Sequence, residues 1–303
     1  MMASEAFQEI VKAIPELLVK PAGLADDELD LNALRSFMSS SKFNVSDSTE
    51  VIKVSAGGVP AEWIIESDAK PEKRMAFLHG GGFVAGKLDS RRPFASWISK
   101  ATRCSILLVD YRLAPEHPFP AAVEDSLSSY HWMCKNGPDG EGQASKTFIG
   151  GDSAGGCLAL STLLGLKDAY EDLPNAVVTL SAFLDMAVTG KSIANHAGLD
   201  IIFKPSHLTK FAEFYLANQD PLEPSASPLY GDLSGLPPIL MQVGDAELLL
   251  DDSVRFAEKA EKAGVKVTLE VWPEMFHDWQ MFGPLFPEAQ QAIDRIGEFI
   301  TSF

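Results

Sequence analysis

From residue 75 onward the chain alternates short, continuously apolar runs with longer segments of helical texture. The runs are MAFL (75–78), SILLVD (105–110), TFIG (147–150), AVVTL (176–180), PILMQV (238–243) and VKVTLEV (265–271). Helical segments lie between most of them, at 93–102, 120–135, 154–170, 250–263 and 285–302. Runs that are apolar at every position are strands buried on both faces. Strand–helix–strand units make parallel neighbours, because the crossover returns the chain to the end it started from. The pattern predicts an α/β fold, a mostly parallel sheet with helices on both faces. A chain of 303 residues, 46% of them hydrophobic, can bury one such core and leave a few dozen residues over.

The surplus lies in two places. Residues 4–18 carry Phe7, Ile10, Val11, Ile14 and Leu17 at helical spacing, and Asp26 and Asp27 stand where a cap belongs before a second helix. Residues 184–218 show no strand pattern, yet they hold Ile201, Ile202, Phe203, Phe211, Phe214 and Tyr215, too much apolar surface for a solvated loop. Together these segments are expected to form a helical cap: residues 1–45 as N-terminal cap helices, and residues 46–303 as the catalytic domain with a cap insertion at about 184–218. Between them, TEVIKVSA, a Gly-Gly break and AEWIIES read as an antiparallel hairpin.

The formal net charge of −17 repels phosphate backbones and anionic headgroups, so neither nucleic acid nor a membrane is an expected partner. The N-terminus has no basic region followed by an apolar one, and no run approaches the length of a membrane span. Cys104, Cys134 and Cys157 lack metal-ligand spacing and read as free thiols in a reducing, cytoplasmic compartment. No cluster of His, Cys and carboxylates has the spacing of a metal site, and no cofactor is implied.

The sharpest local feature is GGDSAGG (150–156), a G-x-S-x-G pentapeptide between a strand and a helix. A serine on so tight a turn is strained, and side chains two positions either side would collide with their surroundings, which glycine avoids. The hydroxyl then stands at the carboxyl edge of the sheet, where open α/β sheets bind ligands, under the positive end of the following helix. The pentapeptide alone is also compatible with an ordinary turn and a capping serine; the strand before it and the helix after it favour a nucleophile.

A second glycine run, HGGG (79–82), follows another strand. Three glycines leave backbone amides unobstructed, so that two can point at one spot, as an oxyanion hole requires. The lysine and serine of a phosphate-binding loop do not follow it. His79 is expected to brace this loop rather than to act as a base.

HGGG (79–82), DYRLAPEHPFPAA (110–122) and GDSAGG (151–156) together resemble the hormone-sensitive-lipase-like branch of the α/β-hydrolases, a group of mostly microbial carboxylesterases. The resemblance runs from about residue 75 to 280. It implies an eight-stranded sheet, a helical cap and hydrolysis of esters with short acyl chains. It assigns the nucleophile to Ser153 and the oxyanion donors to the amides of Gly81, Gly82 and Ala154, with Arg112 and Glu116 bracing the adjoining loop.

Triad members follow in the order Ser, acid, His in this fold. His207 and His277 are the histidines beyond position 200. His207 opens a helix in the expected cap, whereas His277 follows the last strand, where the family carries its base. The acid belongs after strand 238–243, in VGDAELLLDD. Asp251 and Asp252 are placed to cap the next helix. By the general rules of the fold Asp245, directly after the strand, is a fair candidate. The family's spacing of four residues before a second acidic residue points instead to Glu247, and glutamate serves in such triads.

These readings combine into a serine carboxylesterase with catalytic Ser153, Glu247 and His277 and a pocket lined by Phe203, Phe211 and Phe214. A lactonase or an amidase with the same triad, or a non-catalytic small-molecule receptor, would share much of the sequence. A homodimer, formed through strand 265–271, is a further expectation by analogy.

Overall fold

The computed structural model describes residues 3–39, 41 and 43–303; residues 1, 2, 40 and 42, which fall within the expected cap segment 1–45, lie outside the described residues. One eight-stranded sheet carries the fold, in the order β1-β2-β4-β3-β7-β8-β9-β10. Its strands are β1 (Glu50–Ala56), β2 (Val59–Ile65), β3 (Lys70–Leu78), β4 (Cys104–Val109), β7 (Lys146–Asp152), β8 (Ala176–Leu180), β9 (Ile239–Gly244) and β10 (Val267–Trp272). The two-residue strands β5 (Asn136–Gly137) and β6 (Gly140–Glu141) pair only with each other. β1 and β2 form the antiparallel hairpin, and β2 pairs antiparallel with β4. Every other neighbour in the large sheet is parallel.

The continuously apolar runs are the central strands. β4, β8 and β9 are buried at every residue. α3 (Leu88–Thr102) and α9 (Pro287–Thr301) cover one face, where Phe94, Ile98, Ile293 and Ile296 pack on Phe77, Ile106 and Phe148. α4 (Ala121–Lys135), α5 (Ala154–Asp168) and α8 (Leu250–Lys262) cover the other, the larger core.

Residues 184–218 contain α6 (Lys191–Asn195) and α7 (Pro205–Leu216) and no strand. At the N-terminus α1 (Glu5–Ile14) gives way at Pro15 to a π-helical turn through Val19. Proline has no N–H for the α-helical bond and crowds the preceding turn, so the regular ladder stops there and Leu17 is left exposed. α2 (Leu31–Phe37) starts later than Asp26 and Asp27 suggest. Its cap is Asp30, which accepts the Ala33 N–H at 2.9 Å. The N-terminal segment meets α7 through His207, whose Nε2 lies 2.7 Å from the Asp26 carbonyl oxygen, and through Lys204 and Asp27 at 3.3 Å. Cys104, Cys134 and Cys157 are all unpaired thiols.

Candidate active site

Five strands adjacent in the sheet (β3, β7, β8, β9 and β10) run parallel and end at the same edge, so the loops that leave them converge. Those loops carry, in sheet order, His79 to Gly82, Ser153, Ser181, Glu247 and His277. Residues spread over about two hundred positions of sequence thereby share one end of the sheet.

Ser153 adopts φ 51°, ψ −117°, a conformation that costs a non-glycine residue about 1–3 kcal/mol. Its neighbours enforce it. Ser153 N–H donates to the Leu180 carbonyl at 2.7 Å, and its own carbonyl accepts from Phe183 N–H at 3.2 Å. The flanking glycines are required by close approach. A Cβ on Gly155 would overlap the carbonyl oxygen of Leu78, and one on Gly151 would stand 2.6 Å from that same oxygen. The serine is buried but not sealed, at 6% exposure.

Beside it the glycine loop turns at Gly81 (φ 127°), Gly82 (φ 60°) and Phe83 (φ 63°). Among the described residues, the N–H groups of Gly81 and Gly82 have no protein acceptor, and the N–H of Ala154, first residue of α5, precedes the helix's own ladder. His79 braces this loop. Its Nδ1 lies 2.8 Å from the Gly80 carbonyl oxygen and its ring stacks on Tyr111 at 4.4 Å. Full burial lowers its pKa to about 4, so the ring is neutral.

The four carboxylates of 243–252 separate by contact. Glu247 Oε2 is 2.7 Å from His277 Nδ1, and Oε1 accepts from Ser181 Oγ at 2.8 Å and from Gly244 N–H at 2.7 Å. Asp245 faces elsewhere: its Oδ1 accepts Glu274 N–H at 2.6 Å and pins the turn ahead of His277. Asp251 and Asp252 lie in the first turn of α8 without capping it. Asp252 Oδ2 accepts Leu184 and Asp185 N–H at 2.7 and 3.0 Å, and Asp251 Oδ2 accepts Lys191 and Ser192 N–H at 2.6 and 3.1 Å. They hold the 184–192 segment because its amides have no partners in secondary structure.

His277 is buried, and burial opposes its charge. Asp278 and Glu247 outweigh that effect and hold the imidazolium well above its usual range. Glu116 forms a two-pronged ion pair with Arg35 of α2 at 2.6 and 2.7 Å, and Arg112 binds Asp125 and Glu124. Arg35 also donates to the Val84 carbonyl at 2.8 Å and the Ala114 carbonyl at 2.9 Å, joining the N-terminal segment to the glycine loop. Asp152, wholly buried next to Ser153, pairs with Arg91 at 3.0 Å. Ser181, Arg35 and Arg91 escape sequence reasoning because their partners are distant in sequence, and Asp278 because adjacency to His277 does not disclose which ring nitrogen it faces.

The three phenylalanines differ in placement. Phe203 stands edge-on to His277 at 5.0 Å, and the Phe211 ring lies 2.5 Å from where a Cβ on Gly82 would be. Phe214 is half-buried with Lys210 Nζ 5.0 Å over its ring. A cavity of about 400 Å³ lies on the N-terminal side, bounded by Ile10, Ile14, Met38, Phe94, Met281 and Phe282 among others, and none of the three phenylalanines borders it. Met38 links it to the glycine loop, with Cε 3.1 Å from the place of a Cβ on Gly81.

Among the described residues, no helix is long and apolar enough to cross a membrane. Residues 75–281 match the model of a family described as having the alpha/beta hydrolase fold. An acetyl-hydrolase of Streptomyces hygroscopicus is 41% identical over 251 residues, 82% of each chain, and an esterase of Acinetobacter venetianus is 36% identical over 95% of each. Among solved structures, EstE5 soaked with p-nitrophenyl butyrate superposes with a TM-score of 0.91 at 38% identity, over 99% of each chain. An esterase of the bacterial hormone-sensitive lipase family does so at 0.90 and 39%, over 100% of this chain and 99% of the other. The chain belongs to the α/β-hydrolase family, in the hormone-sensitive-lipase-like branch of carboxylic ester hydrolases.

Proposed function

We propose that the protein is a serine carboxylesterase that hydrolyses short-chain acyl esters through Ser153, His277 and Glu247. The observation that carries the reading is the buried 2.7 Å contact between Glu247 Oε2 and His277 Nδ1, set beside a strained serine at the same sheet edge. With Nδ1 committed to Glu247, the ring can present Nε2 to the serine. His277 takes the proton of Ser153 Oγ as that oxygen attacks the ester carbonyl. It returns the proton to the departing alcohol and then activates the water that cleaves the acyl-enzyme. The amides of Gly81, Gly82 and Ala154 receive the negative charge on the carbonyl oxygen. Donors fixed in place before charge develops need no reorganisation.

Phe203 and Phe211 border the reacting centre, and Phe214 completes the apolar lining from the same helix as Phe211. The N-terminal segment to residue 45 and the 184–218 insertion form the cap, a reading supported by the His207–Asp26 and Arg35–Glu116 contacts. A homodimer belongs to the same proposal. β10 has a sheet neighbour on one side only and exposes Val271, and light scattering that returned the mass of one chain would exclude the dimer.

The test of the function is hydrolysis of p-nitrophenyl acetate, butyrate, octanoate and palmitate, with Ser153→Ala as the blank. The expected result is a rate that depends on Ser153 and peaks at acetate or butyrate. Activity that persists in the variant, or that is absent from the wild type, overturns the reading.

A further inference from the structure

His277 has a carboxylate at each ring nitrogen. Glu247 occupies Nδ1, and Asp278 Oδ2 lies 3.3 Å from Nε2. Nε2 is the nitrogen that must be unprotonated to receive the serine proton. Among the described residues, no hydrogen bond joins it to Ser153 Oγ. A carboxylate facing a bare imidazole nitrogen is lone pair against lone pair; the contact is favourable only when the ring is protonated and charged.

The fold places Asp278 there by construction. The residue takes a left-handed conformation (φ 56°), and its N–H donates to Ser181 Oγ at 3.2 Å, the same hydroxyl that holds Glu247. Its Oδ1 is buried without a hydrogen-bond partner, and among the described residues no arginine or lysine forms an ion pair with Asp278. The charged groups around it come from four elements. Asp152 at the end of β7 repels it, Arg91 of α3 is committed to Asp152 at 3.0 Å, His79 is neutral, and Glu247 follows β9. Arg91 pairs with Asp152, and among the described residues protonated His277 is the one cation in an ion pair with either Asp278 or Glu247.

We propose that Asp278 is a positioning residue that clamps Nε2 of His277 in the free enzyme and so sets the pH at which the protein begins to work. His277 rests as an imidazolium between two carboxylates. It must lose the Nε2 proton to solvent, and the Asp278 contact with it, before Ser153 can be deprotonated. Burial works against this charge, and the two carboxylates prevail over it. The inference rests on His277 being the base.

The experiment compares Asp278→Asn with the wild type in the pH dependence of kcat/KM for p-nitrophenyl butyrate. Asparagine tolerates the left-handed backbone and keeps the N–H to Ser181. An opposite charge within about 4–6 Å moves a pKa by roughly 1–3 units, so the midpoint of the acid limb should fall by about one unit or more. The variant is then faster than the wild type near pH 6. A purely structural role lowers the rate at every pH and leaves the midpoint in place, and that result overturns the proposal. A second readout needs no turnover: in Ser153→Ala protein, the downfield Nδ1 proton of His277 is followed by NMR against pH, with and without Asp278→Asn. The imidazole should titrate lower in the double variant. Equal titrations overturn the clamp even if the esterase reading stands, whereas loss of the esterase reading appears in the Ser153→Ala blank.

Discussion

The buried hydroxyl of Ser181 donates to Glu247 Oε1 at 2.8 Å, leaving Oε2 for His277 at 2.7 Å. Ser181 is itself held at φ 44°, directly after β8, so the carboxylate is positioned from a neighbouring strand end as well as from its own loop. Removing that donor leaves Oε1 with Gly244 N–H alone. Hydrogen bonds to charged groups contribute about 1.5–3 kcal/mol, so Ser181→Ala should lower kcat about tenfold or more with little change in KM. Steady-state kinetics on one ester decides it; a change confined to KM would mean that Ser181 acts on substrate binding instead.

Glu247 and Asp245 make opposite predictions. Glu247→Gln removes the charge, and with Ser181 and Gly244 claiming the amide oxygen it turns an NH2 toward Nδ1, which should reduce kcat by about 10³–10⁴-fold, the scale seen when an orienting carboxylate is neutralised. Asp245→Asn keeps an oxygen for Glu274 N–H and should cost no more than a few-fold, through a looser 272–277 turn. Measuring both variants on one substrate settles the assignment, and the reverse order would transfer the acid's role to Asp245.

Arg35 ties the N-terminal segment to the catalytic domain through Val84, Ala114 and Glu116. The ion pair is partly exposed, so its Coulombic share is small, and the two carbonyls left without a donor carry most of the cost. Arg35→Ala should lower Tm by a few degrees, consistent with a loss of about 1–2 kcal/mol. Because the glycine loop is held from the same side, KM should rise more than kcat falls. An unchanged KM would separate the N-terminal segment from the substrate.

What the sequence discloses and what it hides follow from the range of the forces involved. β4, β8 and β9 are legible because burial on both faces writes itself into consecutive residues. The serine turn is legible because its glycines and serine fall within one short window, although what Gly155 answers to, the Leu78 carbonyl, lies on a neighbouring strand. The acid is not legible locally. Asp245 and Glu247 sit two residues apart in one loop, and only the spacing borrowed from a family separates them. Asp251 and Asp252 read as helix caps because the amides they bind lie 59 to 68 residues away, in the 184–192 segment. Arg35 and Glu116, 81 residues apart, leave no trace in any window. Side chains whose partners are fixed by topology become interpretable only once the strand order is known.

Asp252 offers a pH test of that topology. The carboxyl is fully buried, and burial, reinforced by the neighbouring charge of Asp185, raises its pKa to about 8 against the opposing hydrogen bonds from Leu184 and Asp185 N–H. The sign follows from proton binding. Between the ordinary aspartate value near 4 and about 8 the folded state holds a proton that the unfolded state has released, so this group's contribution to stability falls as pH rises through that window. Asp252→Asn keeps an oxygen for the two amides and cannot ionise. Its Tm should therefore decline less between pH 5 and pH 8 than that of the wild type, with the curves closest at the acid end. Thermal melts at half-unit intervals would show it. Parallel curves would mean that Asp252 stays ionised in the fold and that the two backbone N–H groups, not the surrounding apolar packing, govern its charge.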